Sequence, residues 1–365
     1  MTVQTTSAPI EKPPVTEVGA IGWLRANLFN SKGNSVLTIV CLAFIVYVIQ
    51  ALVPWAFLNA VWTGTPQDCQ APAAGACWAV IGEKNRFTLF GRYTYEEQWR
   101  PALAIGFFLL LVGASCIRRL WGKALIWAWV GQVFVWAILM WGGVFGLTFV
   151  NHEQWGGLPL TLMMSVVAIV VAYPIGIVLA LGRRSDMPVA RSICVAYIEL
   201  IRGVPLISVL FMASVMIPLF FPEGVSVDKL LRAQIGFTLF LSAYLAEVVR
   251  AGLQAIPKGQ YEAADALGLG YWAKMRLIVL PQALRLVIPP MVNSFISTFK
   301  DTSLVIIIGL VDLLNAGKIA VNDPPWRSFY VEMYIYIAVI YFAFCFTMSK
   351  FSQRLERDLS KATSR

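Results

Sequence analysis

The chain has 365 residues, 58% of them hydrophobic and only 13% charged, with a formal charge of +9. Soluble domains carry roughly a quarter charged residues, so a disordered chain, a collagen-like chain and a soluble globule are excluded. The basic residues fall in short runs between apolar segments rather than on one face, which argues against nucleic-acid binding. A membrane protein that keeps Lys and Arg in its cytoplasmic loops gives the same total.

In chain order, residues 1–35 are polar, with Pro9, Pro13 and Pro14, and read as a disordered cytoplasmic tail. The apolar run 36–58 is too long for a secretory h-region and is expected as a retained first span. A loop rich in Gly, Pro and Ala covers 59–100. Spans are then expected at 101–117 and 124–147, and about 159–182, 204–221 and 233–249. A charged interruption, 250–283, precedes a seventh span at 284–300 and an eighth at 331–349, before a basic tail, 351–365. The apolar stretch 304–311 is too short to cross roughly 30 Å of hydrocarbon and is expected as a re-entrant or interfacial helix. Eight spans put both termini on one side. With that side cytoplasmic, 20 of the 29 Lys and Arg residues lie inside, as the positive-inside rule requires. The fold class is therefore an all-α polytopic membrane protein of about eight transmembrane helices.

Of six cysteines, Cys41, Cys116, Cys194 and Cys345 lie in apolar segments and read as small core residues. Cys69 and Cys77 lie in the polar loop. They could form a disulfide if that loop is extracytoplasmic. With His152 the one histidine, and without a CxxC, no metal or haem site is expected.

The most informative segment is 256–283, IPKGQYEAADALGLGYWAKMRLIVLPQA. Pro257 suits a first helical position. Residues 260–267 form a short helix with small alanines, and Gly268 and Gly270 permit the φ > 0 backbone that turns a chain. Residues 271–280 form a second short helix, stopped by Pro281. Two stubby helices at a glycine corner are either a plain connector or a projection that transmits force to another subunit.

At membrane depth, Glu199 with Arg202, and Glu247 with Arg250, are spaced i, i+3 and can pair. They read either as structural ion pairs or as a cytoplasmic gate. Pro289-Pro290 should bend the seventh span. Asn293, Ser297, Lys300 and Asp301 share one face beyond it. Thr161 and Ser165, i, i+4 on span four, could face the same cavity. Such residues serve either as helix–helix glue or as a substrate path.

Glu262-Ala263-Ala264, then Gly268, then Leu280-Pro281 resembles the EAA loop of ABC importer permeases of the binding-protein-dependent type I class. Glu199-x-x-Arg202-Gly203-x-Pro205, Ala243-Tyr244-x-Ala246-Glu247-x-x-Arg250-x-Gly252, Lys258-Gly259-Gln260 and 300–304, KDTSL, resemble the polar amino-acid branch. The resemblance covers roughly 158–354. It implies a MetI-like permease core at 156–350, built from the last five spans. Residues 36–155 are then an N-terminal extension of three spans, like that of the general L-amino acid subtype.

The resemblance further implies a transport subunit of the bacterial inner membrane, not an enzyme, importing L-amino acids. Glu262, Ala263, Ala264, Gly268, Gly270 and Pro281 would couple it to a separate cytoplasmic ABC ATPase dimer that binds ATP and Mg. No GxxxxGK[ST] phosphate loop occurs in this sequence. A second homologous permease and a periplasmic amino-acid-binding protein complete the expected partners. The alternatives are a gradient-driven secondary transporter, for which Glu247 or Asp301 could serve proton coupling, and a membrane enzyme.

Overall fold

The computed structural model describes residues 19–222 and 227–363. The expected disorder of residues 1–18, and residues 364–365 of the basic tail, lie outside these. The described chain is almost wholly helical. Seven helices are long and apolar enough to cross a membrane, or eight when one sharply bent pair counts as a span.

The chain divides into two compact units, 1–79 and 80–365. In the first, α1 (Gly19–Asn27) lies where a disordered tail was expected. Ser31 then caps α2 (Lys32–Val53), accepting from the Asn34 N–H at 3.2 Å. A π turn, Pro54–Leu58, extends α2. No residue of α2 is buried, and with its π turn it is long and apolar enough to cross a membrane. After α3 (Pro66–Cys69), Cys69 and Cys77 are joined by a disulfide, their Cα atoms 5.5 Å apart. Trp78 donates to the Ala56 carbonyl at 2.8 Å and stacks near Trp55 and Trp62.

The second unit opens with α4 (Ala79–Phe90), a helix inside the segment expected to be loop. An antiparallel hairpin follows, of α5 (Trp99–Ser115) and α6 (Lys123–Trp141). Span three ends six residues before its expected limit, because Gly142 (φ 69) turns the chain out of the helix.

The core is α7 (Gly157–Arg183) packed along α10 (Lys229–Ala255). Gly176 sets their close approach: a Cβ there would lie 2.9 Å from the Leu245 Cβ. Between them, α8 (Pro188–Gly203) and α9 (Leu206–Leu219) meet at 110°. The single helix expected at 204–221 is α9, and it is long enough for a span only together with α8. Pro205 forces Val204 into extended backbone (φ −111, ψ 136), and the helix breaks there.

Beyond α10 come α11 (Lys258–Ala266), α12 (Tyr271–Lys274), a π turn at Met275–Val279, α13 (Leu280–Leu286) and α14 (Ile288–Asp301). The run expected as a re-entrant helix instead continues α14 as a 3-10 segment, Thr302–Ile308, so that one span runs Ile288–Ile308. A two-residue strand, Val311–Asp312, bridges to Gly156 and Gly157 and leads into α15 (Leu313–Ala320). The last helix, α16 (Tyr330–Thr363), continues through most of the expected basic tail.

Candidate functional site

The corner between α11 and α12 is a closed Schellman motif. The Gly268 N–H donates to the Asp265 carbonyl at 2.9 Å and the Leu269 N–H to the Ala264 carbonyl at 3.2 Å. That pattern needs a left-handed residue, and Gly268 supplies it at φ 71. Gly270 does not: it is extended at φ −64 and caps α12. Pro257 likewise sits at the cap rather than the first turn.

Pro281 does not stop the second helix. The π turn just before it shifts the Leu280 N–H onto the Met275 carbonyl, a register in which a residue without an N–H can follow. The backbone thus stays helical from Tyr271 to Leu286.

This elbow is rooted in the core. Val279 and Ala283 are fully buried with Ala180, Ile198, Ala246, Val249 and Leu253, and Tyr261 and Met275 pack on that cluster. Tyr261 donates to the Leu253 carbonyl at 3.0 Å and accepts from Arg184 at 3.3 Å. Gln282 donates to Gln260 at 3.0 Å, and Lys274 meets Asp265 at 2.5 Å across the corner. Ala264 is buried against the chain itself, whereas Glu262, Ala263 and Gly268 are exposed. At the tip Leu267 is 75% exposed and Trp272 74%. A stiff apolar tip with a charged rim is a shape made to be gripped from outside.

The four residues expected as two ion pairs form one network instead. Glu247 receives Arg250, and the Arg183 and Arg202 guanidiniums lie 3.4 and 3.8 Å from its carboxylate. Glu199 pairs at 2.8 Å with Arg183, not with Arg202. The helix bend at Gly203 to Pro205 leaves Arg202 within reach of α10. Arg183, the last residue of α7, is the member that sequence spacing missed. Its partners are 16 and 64 positions away, and no local periodicity signals them.

The residues expected to line a path separate. Asn293, Ser297 and Lys300 form an exposed stripe on α14, with Asp301 half-buried beside it. Thr161 and Ser165 do not join them. Both are buried with satisfied hydroxyls: Thr161 donates to the Gly157 carbonyl at 3.0 Å and accepts the Leu313 N–H at 3.0 Å, and Ser165 donates to the Thr161 carbonyl at 2.8 Å. Thr161 thereby binds the start of α15 to α7, while Ser165 bonds within α7. Beside them the fully buried Asp312, also missed, caps α15 through the Leu314 and Asn315 N–H groups and accepts from Tyr341 at 3.0 Å. An Asp directly before an apolar run is the signal that could have found it. No cluster of metal-binding side chains exists among the described residues.

Fold and site together define a multi-span helical membrane protein with an exposed elbow anchored in its core. The model of binding-protein-dependent transport system inner membrane components matches residues 172–361, and the chain belongs to that family. It is 52% identical, over 93% of its length and 92% of that protein, to the inner membrane amino-acid ABC transporter permease protein YhdY of Escherichia coli. It is 39% identical, over 95% of both chains, to the glutamate/glutamine/aspartate/asparagine transport system permease protein BztC of Rhodobacter capsulatus. A crystal structure of an amino acid ABC transporter with histidines aligns with 55% of this chain and 92% of its own, at 33% identity and a TM-score of 0.49. The protein is thus an inner-membrane permease of an ABC importer, working with a binding protein and an ATPase, and neither a secondary transporter nor an enzyme.

Proposed function

We propose that this chain carries L-amino acids of broad polar selectivity, as half of a pathway completed by a second homologous permease. Both relatives covering nearly the whole chain are amino-acid permeases by name, and their likeness includes the N-terminal extension. Both termini and the elbow face the cytoplasm, which sets most Lys and Arg inside. The elbow docks into a groove of the ATPase dimer, which binds ATP and Mg. Closure of that dimer moves α11 and α12 and, through the buried cluster, α10 and α13.

The observation that carries this reading is the exposed apolar tip held on a core-anchored, Schellman-closed elbow. The polar stripe of Asn293, Ser297 and Lys300 supports the second permease. A polar helix face cannot look at lipid, so it meets either a partner or water. Uncharged amide and hydroxyl groups there can serve both ends of a zwitterion.

The test is Gly268→Val in the assembled complex. A Cβ at Gly268 meets no atom of this chain within 4 Å, so within the chain the change acts through the left-handed backbone. Amino-acid uptake into proteoliposomes should fall several-fold per ATP hydrolysed. Undiminished coupling would refute the role of the elbow.

A further inference from the structure

The α5–α6 hairpin packs on itself and touches the core only lightly, through α5 and α7. A cavity of about 500 Å³ remains between α6 on one side and α7 and α10 on the other, lined almost wholly by apolar and aromatic side chains. All four helices are membrane spans. Along α6 the lining runs from Trp129 to Trp141, a rise of about 18 Å at 1.5 Å per residue. That is close to the ~15 Å of one hydrocarbon leaflet. At the ~30 Å³ that one water takes up in the liquid, the volume equals about seventeen waters, room on the scale of one long acyl chain. Val133 and Leu231 line the cavity while 64% and 52% exposed, so its side opens where lipid would stand.

Few polar atoms of the lining lack a partner. Trp136 and Trp155 are 7% and 2% exposed, and neither indole N–H finds an acceptor. Gln234 Oε1 is buried with no donor. His152 and Asp228 close the end near Trp155 by pairing with each other. Two buried donors without acceptors are costly in an apolar site, and an ester carbonyl is an acceptor that a lipid brings. We infer that this cavity is a binding site for one membrane phospholipid, with an acyl chain along α6 and an ester carbonyl accepting from Trp155. Trp at the end of a span is where headgroup-level contacts belong.

The experiment is native mass spectrometry of the full-length chain purified from membranes in mild detergent, so its outcome is independent of the transport reading. One phospholipid should stay bound to the unaltered chain. Ala137→Phe and Val167→Phe, which fill the cavity, should abolish its retention. Val171→Phe, outside the lining, should not. Trp155→Phe keeps a ring but no donor, and should speed lipid loss about fivefold, the usual worth of one hydrogen bond. Absence of retained lipid on the unaltered chain, equal retention by both filled variants, or a retained molecule that is not a lipid would overturn the inference. If the filled variants do not accumulate, Trp155→Phe decides: unchanged retention overturns it.

Discussion

Glu247 stands among three guanidiniums, whereas each of those cations has less to lose. Removing the carboxylate leaves Arg183, Arg202 and Arg250 repelling one another; removing Arg202 removes only the longest contact, at 3.8 Å. Glu247→Gln should therefore destabilise the purified chain by about 1–2 kcal/mol, a buried-pair loss discounted for partial exposure. Arg202→Gln should cost well under half of that. Thermal unfolding in detergent checks the order, and equal effects would contradict the network. On α14, Asn293→Ala with Ser297→Ala should cut uptake while ATP hydrolysis persists, measured side by side in proteoliposomes; unchanged uptake kinetics would dismiss the stripe as a substrate path. At this scale the sequence showed pairs three and four residues apart and little else. Glu247 with Arg250 was legible because one helix turn sets it. Arg183 with Glu247, and Thr161 with the Leu313 N–H, were not, because tertiary packing alone brings them together.

Helices and corners tell a similar story. Long apolar runs made the spans visible, and Gly268 marked the corner. Prolines were harder to read, because their effect depends on the neighbouring register. Pro205 caps α9 and forces the break after α8, while Pro281 sits inside a helix that a π turn accommodates. The glycines differ in the same way. At Gly252 a Cβ would lie 2.8 Å from the Ala283 carbonyl oxygen and press on Val287. Gly252→Leu should lower stability by about 2–3 kcal/mol through overpacking and loosen the elbow from α10. Gly268→Ala, in open space, should cost only the left-handed strain of about 1 kcal/mol. Chemical denaturation of the two variants distinguishes a glycine needed for packing from one needed for φ.

For the molecule as a whole, hydropathy and charge bias settled the class, and several motifs in order pointed to the family. The family match at 172–361 leaves the extension outside it, yet two relatives follow this chain from end to end. The disulfide tests the orientation. Cys69–Cys77 closes a short loop worth about 2–3 kcal/mol, so Cys77→Ser should make residues 59–79 markedly easier to cleave with protease. In intact cells stripped of their outer membrane, an impermeant thiol reagent should label the freed Cys69 from outside. Labelling only after lysis would reverse the proposed topology.

Between the rigid elbow and α14 lies one residue out of helical geometry: Val287, at φ −99 and ψ 4, followed after Ile288 by Pro289 and Pro290 in the first turn of α14. On the proposed coupling, torque delivered through α13 would arrive at a knee rather than at a continuous rod. The crank can then swing while the shaft beyond it tilts by a different angle, so a small stroke by the motor need not be matched by an equal movement of the polar stripe.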